Sequence, residues 1–110
     1  MINVAIIGTG AIASAHIKAY QHFQERCKIV AICDIYPDKA EKMAVDFNLD
    51  VEVYSDYNQM LHLSQINLLS ICTPPYTHAE IAIASLEAGK HVLVEKPMAS
   101  SLEECDAMNL

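Results

Sequence analysis

The stretch "IIGTGAIA" at residues 6–13 carries the pattern G-x-G-x-x-A, with Gly8, Gly10 and Ala13 in its three fixed positions. Directly after an apolar run, this pattern suits a dinucleotide. Gly8 permits a tight turn from strand to helix, Gly10 lets the backbone approach a pyrophosphate, and Ala13 keeps helix and strand close. Ala11 and Ile12 open that helix, where free N–H donors and the positive dipole end favour phosphate. Thr9 and Ser14 are read as further phosphate contacts from the same turn. Asp34 supplies the companion signal, about 20 residues on and at the end of the next apolar run. A carboxylate there accepts both ribose hydroxyls of an adenosine and repels a 2′-phosphate, so NAD is favoured over NADP. Ile35, Tyr36 and Pro37 offer no arginine to hold that phosphate, although Lys39 could reach it.

A second stretch, "HVLVEKPMA" at residues 91–99, places Glu95 and Lys96 side by side at the end of an apolar run, and Pro97 then stiffens the chain. An isolated lysine in that position is ordinarily a solvated charge where a strand meets water. His16 and His78 have no acid partner nearby in sequence, so capping, packing or a ribose contact suits them better than proton transfer. Cys27, Cys33, Cys72 and Cys105 show no paired spacing and read as reduced, structural thiols. The five histidines are scattered, and no metal site is expected.

Periodicity sets the scaffold that carries these residues. Apolar runs at residues 2–7, 28–34 and 68–72 read as strands buried on both faces, the kind found in parallel sheets. A helix is expected at 11–24 with Ile12, Ala15, Ala19 and Phe23 as its apolar stripe. A second begins at Pro37, where a missing N–H is harmless, and turns Ala40, Met43, Ala44 and Phe47 inward. Residues 51–54 form a short strand, and Ser55 caps a brief helix to about residue 62. Thr73, Pro74 and Pro75 end the strand at 68–72. Thr77 and Glu80 then fit a capping box for a helix that runs to Ala88 and closes on Gly89. Residues 91–94 are the fifth strand, and Ser101 with Glu104 repeats the capping spacing for a last helix. Alternating strands and helices predict one α/β domain, a doubly wound parallel sheet with the first strand central.

Composition narrows the function classes. At 110 residues, 53% hydrophobic and 19% charged, the chain can bury a core as a single domain. Fourteen acidic against seven basic residues give a net charge of -7, which disfavours nucleic acid and anionic lipid. Apolar runs fall far below the ~18 residues of a membrane span. The N-terminus lacks the pattern of a secretory signal, so a cytoplasmic location is expected.

"TPPYTHAEIAIASLEAGKHVLVEKPMA" at 73–99, with "IIGTGAIASAH" and "VAICDIYPDKA", resembles the N-terminal dinucleotide-binding domain of the Gfo/Idh/MocA family, the group of glucose-fructose oxidoreductase and inositol dehydrogenase. The resemblance runs from residue 4 to about 104. It implies a Rossmann-type fold and an NAD-dependent dehydrogenase acting on a sugar, polyol or related cyclic alcohol. It implies that Thr73, Pro74 and Pro75 form the loop under the cofactor, that His78 opens the helix after it, and that Glu95 and Lys96 lie near the nicotinamide ribose. Lys96 is then the catalytic candidate, reaching the reacting hydroxyl. The expected cofactor-binding set is Gly8, Thr9, Gly10, Ala11, Ile12, Asp34, Thr73, Pro74, Pro75, His78, Glu95 and Lys96.

Hydride transfer from an alcohol also requires its proton to leave. A lysine can take it if its pKa is lowered, or can stay charged and stabilise the alkoxide. Adjacent Glu95 opposes the first role and suits the second. Family members have a C-terminal α+β substrate domain. Residues 1–110 are therefore read as a dinucleotide-binding domain incomplete at its C-terminal end, which binds NAD weakly and turns over nothing alone. A homo-oligomer with a small carbohydrate-like substrate is expected of the full-length protein. The alternative is a stand-alone, non-catalytic NAD-binding or redox-sensing module.

Overall fold

The computed structural model describes residues 1–94. Its elements are β1 (Ile2–Ile7), α1 (Ala11–His22), β2 (Cys27–Cys33), α2 (Pro37–Asp46), β3 (Glu52–Tyr54), α3 (Asn58–Leu61), β4 (Leu68–Ile71), a 3₁₀ turn (Pro75–Thr77), α4 (His78–Glu87) and β5 (His91–Val94). The strands form one parallel sheet in the order β3-β2-β1-β4-β5. β1 is central, as its apolar run, interrupted only at Asn3, predicts. The Glu95-Lys96-Pro97 stretch and the helix expected after Ser101 lie outside the described residues.

Alternation along β1 builds two cores. Ala5 and Ile7 face one side, with Met60 of α3, Leu69 and Ile71 of β4, and Ala79 and Ile81 of α4. Val4 and Ile6 face the other, with Ala13 and Ile17 of α1, Ile29 and Ile32 of β2, and Ala40 of α2. From Val4 to Ile7 every residue enters one core or the other and none faces solvent, which is why this part of the strand reads as a continuous apolar run. Asn3, the one polar interruption, pins the start of the sheet: its Nδ2 donates to the Gln65 carbonyl at 2.9 Å, and its backbone N–H donates to Asn67 Oδ1 at 2.8 Å.

Helix α2 begins at Pro37 and buries Ala40 and Ala44, with Met43 and Phe47 packed beside them, as predicted. Helix α1 differs. It ends at His22, and the expected stripe of Ile12, Ala15, Ala19 and Phe23 is exposed; Ala13, His16, Ile17 and Tyr20 face the sheet instead. A polar group makes this possible. Ser70 of β4, fully buried, lies 2.6 Å from His16 Nδ1 and 2.9 Å from Tyr20 Oη, so the inward imidazole and phenol each have a partner. Burial is the main cause pushing the Tyr20 phenol above its ordinary pKa.

Two expected caps also differ. Thr77 turns its hydroxyl backward, sharing its proton between the Pro74 carbonyl at 2.7 Å and Thr73 Oγ1 at 2.6 Å, and so makes no capping bond to α4. Glu80 accepts instead from Tyr57 Oη at 3.2 Å. At α3 the oxygen comes from Asp56 rather than Ser55, with Oδ1 accepting from the Asn58 N–H at 2.9 Å. The C-terminus of α4 follows its prediction. Gly89 takes φ +81°, its N–H donates to Leu86 and the Lys90 N–H to Ser85, the paired bonds of a Schellman motif.

Candidate functional site

The order β3-β2-β1-β4-β5 reverses its winding between β1 and β4, and in open α/β sheets a ligand crevice forms outside the strand C-termini at that point. A cleft of about 860 Å³ lies there, lined by Ile7 and the glycine turn, by Cys33 to Tyr36 after β2, by Ser55 to Tyr57 after β3, and by Cys72 to Pro74 after β4. Tyr76, Thr77, Glu80 and Ile81 close its far wall, and Lys39 stands at its α2 side.

Gly8 has φ +93°, and a Cβ there would stand 2.8 Å from the carbonyl carbon and oxygen of Cys72. The turn therefore closes directly on the chain leaving β4. Gly10 has an ordinary φ of −71° as the N-cap of α1, and a Cβ there would meet Cys72 O only at 3.7 Å. Nothing among the described residues forbids a side chain at Gly10. Its bareness leaves room for a group above the helix N-terminus, where the first N–H groups, at Ala11 and Ile12, have no helical acceptor.

Asp34 is tied to the same turn. Its Oδ2 accepts from the Thr9 N–H at 3.1 Å and from Thr9 Oγ1 at 2.6 Å, while Oδ1 accepts from the Tyr36 N–H at 2.8 Å. Thr9 thus turns its hydroxyl to the acid and not, as expected, toward a phosphate. Of the roughly four acceptor positions of a carboxylate, the described residues fill three and leave one on Oδ1.

The loop after β4 is held from behind. His78 is 2% exposed and its Nε2 lies 2.7 Å from the Thr73 carbonyl; since a carbonyl only accepts, Nε2 carries the proton. His78 therefore supports the Thr73-Pro74 wall and does not line the cleft. Of the expected site, the cleft gathers Gly8, Thr9, Gly10, Ile12, Asp34, Thr73 and Pro74, with Pro75 opening the adjoining 3₁₀ turn; Glu95 and Lys96 lie outside the described residues.

The sequence reading missed Asp56, Tyr57, Tyr76 and Glu80. They follow strand ends whose C-terminal side faces the crevice, and that topological position was the available signal. Among the described lining residues Asp34, Asp56 and Glu80 are acidic and Lys39 alone is basic, its Nζ 5.0 Å over the Tyr36 ring. Burial, then Asp34 and Asp56, push the Cys33 thiol up to about 12, so it stays neutral and is no nucleophile. Among the described residues no group of three or more His, Cys, Asp or Glu side chains could hold a metal ion. No helix among them is long and apolar enough to cross a membrane.

A glycine turn bare at its second glycine, an acid held at the end of β2 and a crevice at the reversal of strand order define a Rossmann dinucleotide-binding domain. The chain belongs to the Gfo/Idh/MocA family: the family model described as "Oxidoreductase family, NAD-binding Rossmann fold" matches residues 2–109. Inositol 2-dehydrogenase of Azotobacter vinelandii is 33% identical over 104 residues, covering 94% of this chain and 31% of the relative. The myo-inositol dehydrogenase of Lactobacillus casei, solved in complex with NAD(H) and myo-inositol, aligns with a TM-score of 0.92 at 29% identity, over 99% of this chain and 32% of that one. Levoglucosan dehydrogenase in complex with NADH and levoglucosan aligns at 0.90 with 35% identity, over 97% and 30%. The chain thus spans about a third of the length of these relatives, and its cofactor is NAD.

Proposed function

We propose that this domain presents NAD for the oxidation of a secondary alcohol on a cyclic, polyhydroxylated substrate, with the substrate pocket completed by further chain. The observation that carries the reading is the Thr9–Asp34–Tyr36 arrangement beside the bare Gly10. Asp34 accepts a ribose hydroxyl at its open position and repels a 2′-phosphate. The N–H groups opening α1 hold the pyrophosphate, and Gly10 lets it approach. Ile35 and Tyr36, exposed at the rim, offer an apolar surface for the flat base. Bound NAD supplies the hydride acceptor. Lys96 is the proposed catalytic residue, its ammonium holding the substrate hydroxyl and steadying the oxygen as the hydroxyl proton passes to a base of the completed substrate pocket and the hydride to NAD, with Glu95 keeping the ammonium in place.

The relatives support a polyol-like substrate because those named act on inositol or bind myo-inositol and levoglucosan. A cytoplasmic, oligomeric full-length enzyme is part of the same proposal. Titration by NADH fluorescence and a panel of inositols, anhydrosugars and hexoses with NAD test it on the full-length protein. Saturable NADH binding and turnover of at least one cyclic polyol are expected, with turnover lost and NADH affinity kept in Lys96→Ala. NADH binding without turnover of any alcohol would favour a non-catalytic sensing module instead.

A further inference from the structure

Asp34 stands where a ribose acceptor is expected, yet its shortest described bond is to a neighbour in the glycine turn. We infer that Thr9 is a positioning residue for NAD: its hydroxyl holds the Asp34 carboxylate so that a single free acceptor position, on Oδ1, points to the adenosine ribose. This rests on the proposed NAD site and adds a determinant that the glycine pattern does not contain.

Lone pairs and orientation decide the effect. Asp34 is the first residue after β2, partly exposed, and its side chain can rotate about two bonds. Among the described residues three donors fix it: the Thr9 N–H and Thr9 Oγ1 on Oδ2, and the Tyr36 N–H on Oδ1. The hydroxyl contact, at 2.6 Å, is of the short, charge-assisted kind, roughly twice as strong as a neutral hydrogen bond. It also fills the second acceptor position of Oδ2. The ribose is therefore gripped through one hydroxyl on Oδ1, unless the Thr9 bond breaks. Replacing the hydroxyl by a methyl group sets an apolar surface against Oδ2, and a carboxylate facing a methyl group turns to water. The acceptor that remains then no longer faces the ribose.

Two substitutions separate this from a role of Thr9 in turn conformation. Thr9→Val keeps β-branching and shape but removes the hydroxyl; Thr9→Ser keeps the hydroxyl but loses the branch. NADH titration of the wild type and both variants, with thermal unfolding as a check on folding, reads the difference. The expected result is about tenfold weaker binding in Thr9→Val at a near-unchanged melting temperature, with Thr9→Ser within about threefold of wild type. Wild-type affinity in Thr9→Val, tighter binding there, or the reverse order with Thr9→Ser the weaker, overturns the inference. Absence of saturable NADH binding in the wild type would instead overturn the proposed NAD site itself, so the two failures are distinguishable.

Discussion

The position of a Cβ on Gly8 lies 2.8 Å from the carbonyl carbon of Cys72, so the turn after β1 and the chain leaving β4 meet backbone to backbone. Two strands that pair along Val4–Ile7 and Leu68–Ile71 are thereby kept together beyond their last ladder bond, where the crevice opens. Gly8→Ala puts a side chain both at a left-handed φ and into a backbone clash. It is expected to cost at least about 2 kcal/mol, measurable as a lowered urea midpoint.

Gly89 offers the control. It shares the positive φ, at +81°, but a Cβ there meets nothing within 4 Å. Gly89→Ala should therefore cost only the conformational strain, about 1 kcal/mol, at unchanged NADH affinity. A loss equal to that of Gly8→Ala would mean that the backbone clash at Cys72 contributes little.

The buried pairing of α1 with β4 makes a separate prediction. Ser70→Ala removes an oxygen bonded to both His16 and Tyr20. Removing a partner from buried polar groups costs about 1–3 kcal/mol, and chemical denaturation of Ser70→Ala should show a loss in that range. An unchanged midpoint would show that the Ser70 contacts contribute little to holding the helix.

Alkaline stability follows from Cys33. Its folded-state pKa is raised from the ordinary 9.0 to about 12, first by burial and then by Asp34 and Asp56. Folding therefore favours the protonated thiol. That contribution is fully present below pH 9.0 and is lost as pH rises toward about 12, because the unfolded chain ionises first. Tyr20 and Tyr57, also raised by burial, act in the same direction from their ordinary 10.0 upward. Urea midpoints should fall above pH ~9, and in Cys33→Ala the fall should begin about one unit later.

Much of this was legible because burial leaves simple marks. Apolar runs at β1, β2 and β4 read as two-sided strands, Pro37 marked the start of α2, Gly89 the end of α4, and Asp34 the end of β2, beside the glycine turn. Helix α1 was misread because Ile12, Ala15, Ala19 and Phe23 and, on another side, Ala13, Ile17 and Tyr20 both fall at helical spacing, so periodicity alone could not set its phase. The deciding residue, His16, is polar, and turned inward it meets Ser70, far away in sequence on β4. The same long-range dependence hid the Tyr57–Glu80 bond, the backward turn of the Thr77 hydroxyl and the Thr9–Asp34 contact. Each is a side-chain choice between partners that only the folded sheet brings together.

On the proposed reading, the space above Gly10 serves a dinucleotide, because the described residues would accept a Cβ there at ordinary contact distance. Calorimetric titration of NAD into the wild type and Gly10→Ala puts this to the sharpest test, because the added methyl group makes only ordinary contact with the protein. One-site binding by the wild type is predicted, with affinity reduced at least about tenfold in Gly10→Ala while stability falls by no more than about 1 kcal/mol. Equal affinity in the two proteins would mean that the bare glycine serves something other than the cofactor.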